Sequence, residues 1–324
     1  MSETTASTIP ADRAPAGRRA RVGHETRTGT YWELLGPDAA EGPPLLMIHG
    51  GGATGACWRA TPDGRVGWAD QLAARGHRVW VTDWPGTGRS GNRNGLEITY
   101  ADVVDGYRAL LTEVIAEPVV IVCHSMGGAV TWRLLELEPA LVAGVLSVAG
   151  SYPANAMTGR SRVVSDDGAV AVIDFVDTGV RNTVDRRVMN LYGDPYIYEQ
   201  GIATSTRFPM AHVDAMRAGF VGLPPRMLLQ RLGVEPGLPR VEDPSGFAGK
   251  PIRLLTGGED PAHTREIEER TVAMLRAWGA DVELVWLPDL GIHGNGHFMF
   301  YETNSDELLE VVARQLAVVG AAAR

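Results

Sequence analysis

Cysteine is scarce in this chain: Cys57 and Cys123 are the only two among 324 residues. Two thiols build neither a disulfide framework nor a cysteine-based metal set. Incidental thiols of this kind fit a reducing, cytoplasmic setting. Long apolar runs are also missing, since no stretch approaches the roughly 18 residues that a membrane-spanning helix needs. The N-terminus lacks the basic-then-apolar pattern of a secretory signal. Positive charge is in deficit, with 30 Lys and Arg against 39 Asp and Glu and a formal net charge of −9. That balance argues against nucleic acid as a partner, because a phosphate backbone would be repelled. The local cluster Arg13, Arg18, Arg19 and Arg21 reads as part of a solvated, mobile N-terminal arm over residues 1–21.

What is present fits a globular domain. Hydrophobic residues make up 44% and charged residues 21%, with a mean hydropathy of −0.06. The length suffices for one large α/β domain with an insertion, or for two smaller domains. Short apolar runs stand at Pro44–His49, His77–Asp83, Pro118–Cys123, Val142–Val148, Pro251–Thr256 and Val282–Leu287. They lack alternation, as strands covered on both faces do. Thr30–Leu35 fits an early antiparallel strand. Amphipathic stretches separate the runs. Thr99 with Asp102 forms a capped helix start ahead of an apolar stripe from Tyr100 to Val114. Gly76 and Gly279 stand where helices from Trp68 and through Trp278 would stop. Further helices are expected over Met126–Leu137 and from about Asp306 to Val319. The alternation predicts a doubly wound, mostly parallel α/β sheet, with core segments 22–150 and 250–324.

Residues 151–249 break this rhythm. Prolines recur, and Phe175, Tyr192, Tyr196, Tyr198, Phe208 and Phe220 lie among them. A structureless loop of that length is improbable, so the stretch is expected to be a mainly helical cap inserted between two sheet strands.

Four motifs carry chemistry. Cys123-His124-Ser125-Met126-Gly127 joins an apolar run to a helix. A strained strand-to-helix turn with a serine at its tip exposes the hydroxyl for attack. Small residues are needed two before and two after the serine; Gly127 fits, and Cys123 replaces the usual glycine. The helix start beyond Ser125 favours an oxyanion, with the Met126 N–H as donor. His49-Gly50-Gly51-Gly52 follows the first buried run, and the Gly51 N–H is the expected second donor. A phosphate loop there would want Gly-Lys-Ser/Thr, and no lysine is present.

His293-Gly294-Asn295-Gly296-His297 follows the last run. A glycine-rich loop lets His297 reach back to the serine as base, while His293 hydrogen-bonds within the loop. The His293–His297 spacing resembles a metal pair, but glycines oppose the helix such a pair needs, so no metal and no cofactor is expected. The order Ser, acid, His calls for a carboxylate between them. Gly257-Gly258-Glu259-Asp260 follows the run ending at Thr256; Asp260 is the first choice and Glu259 the alternative. Helix capping is the other role open to Asp260.

The order HGGG, Asp83–Ser90 (DWPGTGRS), HSMGG, GGED and GNGH covers most of the chain beyond Gly23 and resembles the α/β-hydrolase superfamily. His49–Trp58, Thr61–Trp68 and Gly291–Met299 are similar to the bacterial esterase 713 group. That group carries paired cysteines where Gly51 and Gly52 stand, and a catalytic glutamate where Ala149 stands, so the acid is expected at Asp260 instead. The resemblance implies a serine hydrolase acting on a small-molecule ester with an apolar part. The cap's aromatic residues, together with Met157, Met210, Met216 and Met227, would line its pocket or fill the cap core. A lyase or C–C bond hydrolase would use the same serine and histidine, and a ligand-binding homologue could retain them unused. Haloalkane dehalogenases and epoxide hydrolases place an aspartate where Ser125 stands. The sequence leaves a homo-oligomer open.

Overall fold

The computed structural model describes residues 20–322 apart from 41, 92, 157–160, 176–179 and 195. Most of the expected N-terminal arm, including Arg13, Arg18 and Arg19, lies outside the described residues, as does Met157. Arg21 does not belong to an arm: it opens the first strand, β1 (Arg21–His24), which pairs antiparallel with β2 (Tyr31–Leu35).

Four strands of the central sheet follow in the first half of the chain: β3 (Leu45–Ile48), β4 (Val79–Thr82), β5 (Val119–Ser125) and β6 (Val142–Gly150). The segment after β6 holds a separate antiparallel sheet of β7 (Ser161–Asp166), β8 (Val170–Phe175) and β9 (Val180–Asp185). The chain then returns to the central sheet with β10 (Pro251–Thr256) and β11 (Asp281–Trp286). The central strand order is β1-β2-β4-β3-β5-β6-β10-β11, parallel from β4 to β11. The crossovers run through α1 (Trp68–Ala74), α2 (Tyr100–Ala109), α3 (Gly127–Leu137) and, after the inserted segment, a helix over Arg265–Ala277. Short helices α4 (Val213–Ala218) and α5 (Pro225–Arg231) belong to the insertion; α6 (Arg265–Ala277) and α7 (Ser305–Ala322) close the chain.

The unalternating apolar runs follow from burial on both faces. Along β5, Val120 and Val122 face a core with Trp58, Trp68, Phe300 and the α7 residues Leu308 and Val312. Val119, Ile121 and Cys123 face the opposite core, with Val103 and Tyr107 of α2 and Val130 of α3. Thr99 caps α2 through its side chain, and Asp102 answers to the Thr99 backbone N–H. Gly76 and Gly279 take positive φ beyond the ends of α1 and α6.

The insertion contains helical pieces, as expected, but also the three-stranded sheet, which the sequence reading did not include. Its β7–β8 hairpin turns at Asp167-Gly168, with Gly168 at φ 86°. Asp167 accepts from the N–H groups of Ala169 and Val170. An Asp-Gly pair is a strong hairpin cue. The exposed, polar-rich β7 hid it, because no buried run announces that strand.

Candidate active site

Ser125 ends β5 with φ 48°, one of three non-glycine residues among those described with positive φ. A side chain held in the left-handed region carries backbone strain. Here it turns the chain sharply into α3. The turn needs small neighbours: a Cβ on Gly127 would lie 2.7 Å from the His49 carbonyl oxygen. Cys123 pairs across the β5–β6 ladder with Ser147, and its buried sulfur would lie 3.5 Å from a Cβ on Gly150.

His297 reaches the serine from the loop after β11. Its Nε2 lies 2.9 Å from Ser125 Oγ, and its Nδ1 lies 2.7 Å from Asp260 Oδ2. Asp260 sits in the loop after β10, 4% exposed. Burial raises its pKa, but the facing His297 and His263 rings outweigh burial and bring it down to about 2. The carboxylate is therefore ionised, which fixes the His297 Nδ1–H toward it and leaves Nε2 free to accept from the serine. Glu259, the alternative acid, does not share this arrangement. It turns away, accepting from the Thr206 backbone N–H at 2.7 Å. Ala149, with φ 43°, is fully buried and carries no acid.

The loop Gly50–Gly52 packs on the other side of the serine. A Cβ on Gly50 would lie 2.8 Å from Ser125 Cβ, and one on Gly51 would meet Met126 Sδ, Leu223 and the Tyr192 hydroxyl. Among the described residues, neither the Gly51 nor the Met126 backbone N–H has a hydrogen-bond partner. His49 anchors this loop as a neutral ring. Burial drives its pKa down to about 4. Its Nδ1–H donates to the Gly50 carbonyl at 2.7 Å, and its Nε2 accepts from the Trp84 N–H at 3.1 Å. Asp83, next to Trp84, accepts from the Gly55 N–H at 2.8 Å and from Arg89.

His124 performs a similar service for the base. Burial, with His297 beside it, pushes its pKa well down. The neutral ring donates through Nε2 to the His297 carbonyl oxygen at 3.0 Å. Phe298 and Phe300 pack edge-on against it. His293 is exposed and apart from this cluster; its carbonyl accepts from Arg207.

Two features, Glu302 and His263, escaped the sequence reading. Glu302 accepts from Ser205, Asn295 and the Gly296 N–H, clamping the loop that bears His297. Tyr192, Tyr196 and Phe220 form an aromatic wall from the insertion over the glycine loop. His263 lies three residues beyond Asp260 and pairs with Glu268 at 2.6 Å. The Asp-Pro-Ala-His spacing after the expected acid was the available signal for the last. Atoms of Asp260, His263 and His297 lie within 4.8 Å of one another, residue types that can hold a metal. Hydrogen bonds already engage both nitrogens of His297 and one of His263.

Comparison with known proteins agrees with this architecture. A family model described as "Alpha/beta hydrolase family" matches residues 45–311. A fungal protein named "Probable secreted lipase phiG" is 26% identical over 334 residues, covering 83% of this chain and 80% of that protein. A thermophilic esterase from Thermogutta terrifontis superposes with a TM-score of 0.58 at 18% identity, over 94% of this chain and all of that one (100%). The haloalkane dehalogenase DbeA from Bradyrhizobium elkani superposes with a TM-score of 0.56 at 17% identity, over 93% of this chain and 100% of that one. At those identities the structures speak for the fold alone. The family match spans most of the chain and includes every residue of the Ser125–His297–Asp260 arrangement, and the chain belongs to the alpha/beta hydrolase family.

Proposed function

We propose that the chain is a serine hydrolase that cleaves a carboxylic ester through an acyl-enzyme intermediate. The observation that carries this reading is the continuous path from Ser125 Oγ to His297 Nε2 at 2.9 Å and from His297 Nδ1 to Asp260 at 2.7 Å.

His297 takes the Ser125 proton as Oγ attacks the ester carbonyl carbon. The carbonyl electron pair moves to oxygen, and the Gly51 and Met126 N–H groups receive that charge; one such donor is typically worth about a hundred- to a thousand-fold in rate. The intermediate collapses, the C–O bond to the alcohol breaks, and His297 gives its proton to the leaving oxygen. Water then attacks the acyl-enzyme by the same route and frees the acid and the serine. Asp260 stays ionised throughout and stabilises the imidazolium. Tyr192, Tyr196 and Phe220 offer an apolar wall beside the glycine loop, which suits an ester with an apolar acyl or alcohol part. The name of the fungal lipase relative points the same way. A hydroxyl nucleophile does not supply the alkyl-carboxylate intermediate of an aspartate nucleophile, so dehalogenation is disfavoured despite the shared fold.

A fluorophosphonate probe tests the reading directly. Peptide mapping by mass spectrometry is expected to find the label on Ser125; folded protein that stays unlabelled at that residue overturns it.

A further inference from the structure

Asp260 faces two imidazoles, and the chemistry above uses one. The other, His263, is 4% exposed, and its partner Glu268 on α6 is 3% exposed. The His263 ring stacks on the His297 ring, with centroids 5.4 Å apart and planes inclined by 23°. The His263 backbone N–H reaches the Asp260 carbonyl at 3.3 Å, so ring and acid are fixed in one turn of chain. A buried histidine with a buried carboxylate is a costly arrangement to keep. It has a use if the charge acts on the group beside it.

We propose that His263, held by Glu268, is a positioning residue of the site: a second imidazolium that shares the Asp260 carboxylate with His297 and keeps His297 from retaining a proton. The proposal rests on the reading of Ser125 as nucleophile and His297 as base. The groups that face His263 are Asp260 from its own loop, Glu268 from α6, His297 and His124 from the core beneath, and Arg231 from α5. Burial alone pushes the His263 pKa down, but Asp260 and Glu268 prevail over burial and over Arg231, and raise it. Both carboxylates thus favour a proton on His263, and a protonated His263 is a cation beside an ionised Asp260. When His297 takes the serine proton, a second cation forms against the same carboxylate. The repulsion between the two rings favours prompt transfer of that proton to the leaving alcohol, the step on which acylation depends.

The test is a titration of the full chain with isotope-labelled histidine, read by NMR, on the wild type, His263→Gln and Glu268→Gln. It needs no substrate, so its failure is separate from failure of Ser125 to take a fluorophosphonate. In His263→Gln the His297 midpoint is expected to rise by about one pH unit, a tenfold gain in proton affinity. The acidic limb of kcat/KM for a p-nitrophenyl ester should move with it, while the plateau at higher pH stays within about threefold. In Glu268→Gln the His263 midpoint should fall by about one pH unit. An unmoved His297 midpoint in folded His263→Gln, or a loss of turnover equal at every pH, overturns the proposal. If His263→Gln does not fold, an unmoved His263 midpoint in Glu268→Gln overturns it instead.

Discussion

Glu302 accepts a hydrogen bond from the Gly296 backbone N–H at 2.8 Å, one residue ahead of His297. The same carboxyl group receives Ser205 and Asn295, and burial raises its pKa despite those donors. In Glu302→Gln one acceptor becomes an NH₂ facing other donors. Loss of a buried partner of this kind costs about 1–3 kcal/mol. Urea unfolding of the variant should show that loss, together with a reduced kcat from a looser His297 loop; wild-type values for both would show that the clamp has no such role.

Removing the nucleophile should abolish turnover without unfolding the chain. Ser125→Ala is expected to lose on the order of a million-fold in kcat, as deleting a serine nucleophile does elsewhere. Ester hydrolysis by purified variant, with circular dichroism as the check on folding, measures it. Activity within tenfold of wild type rules Ser125 out.

Asp260→Asn should be nearly as severe, about ten-thousand-fold in kcat, because the amide no longer fixes the His297 tautomer. Glu259→Gln should fall within a few-fold of wild type, since Glu259 reaches Thr206 and not the imidazole. The paired assay separates the two carboxylates, and equal losses would mean that the acid has been misassigned.

The acid limit of stability follows from the same group. Asp260 titrates near 2 in the folded chain, below its ordinary value of 3.8. A depressed carboxyl pKa stabilises the fold above the unfolded value, and the contribution is lost as pH falls through the folded one. The window is thus about pH 4 down to 2, and the contribution about 2 kcal/mol. Urea midpoints at pH 5 and pH 2.5 should fall less in Asp260→Asn than in the wild type; parallel curves would remove Asp260 from the acid response.

Gly51→Ala places a methyl group against Met126 Sδ, with Leu223 and the Tyr192 hydroxyl each 2.9 Å away. The loop must shift, and the N–H it offers shifts with it. The expected result is a loss of about a hundred- to a thousand-fold in kcat with KM little changed. A variant with wild-type kcat would remove Gly51 from the oxyanion site.

The residues that touch in the catalytic line were legible because the fold dictates where each must stand. A serine at a strand-to-helix turn, a carboxylate after a buried strand and a histidine in a glycine-rich loop are local patterns, and the chain order then joins them. Asp260 over Glu259 was a choice between neighbours. It is the geometry that sets Asp260 on Nδ1 of His297 and sends Glu259 to Thr206. What escaped depends on contacts between distant segments. Nothing local in Glu302 says that it faces Gly296, and nothing in Glu268 says that it faces His263. The β7–β9 sheet escaped for a different reason: β7 is exposed, so its sequence lacks the periodic apolar signal that burial imposes.

The insertion is sewn to all three working loops by its own main chain. Val221 N–H donates to the Gly52 carbonyl at 2.7 Å, Arg207 N–H to Gly294 at 3.0 Å, and Thr206 N–H to the Glu259 carboxylate at 2.7 Å. A wholesale swing of this roof would tear the stitches beside nucleophile partner, base and acid together. The rings of Tyr192 and Phe220 stand on that stitched frame beside the glycine loop, so side chains can turn there while the main chain stays bonded.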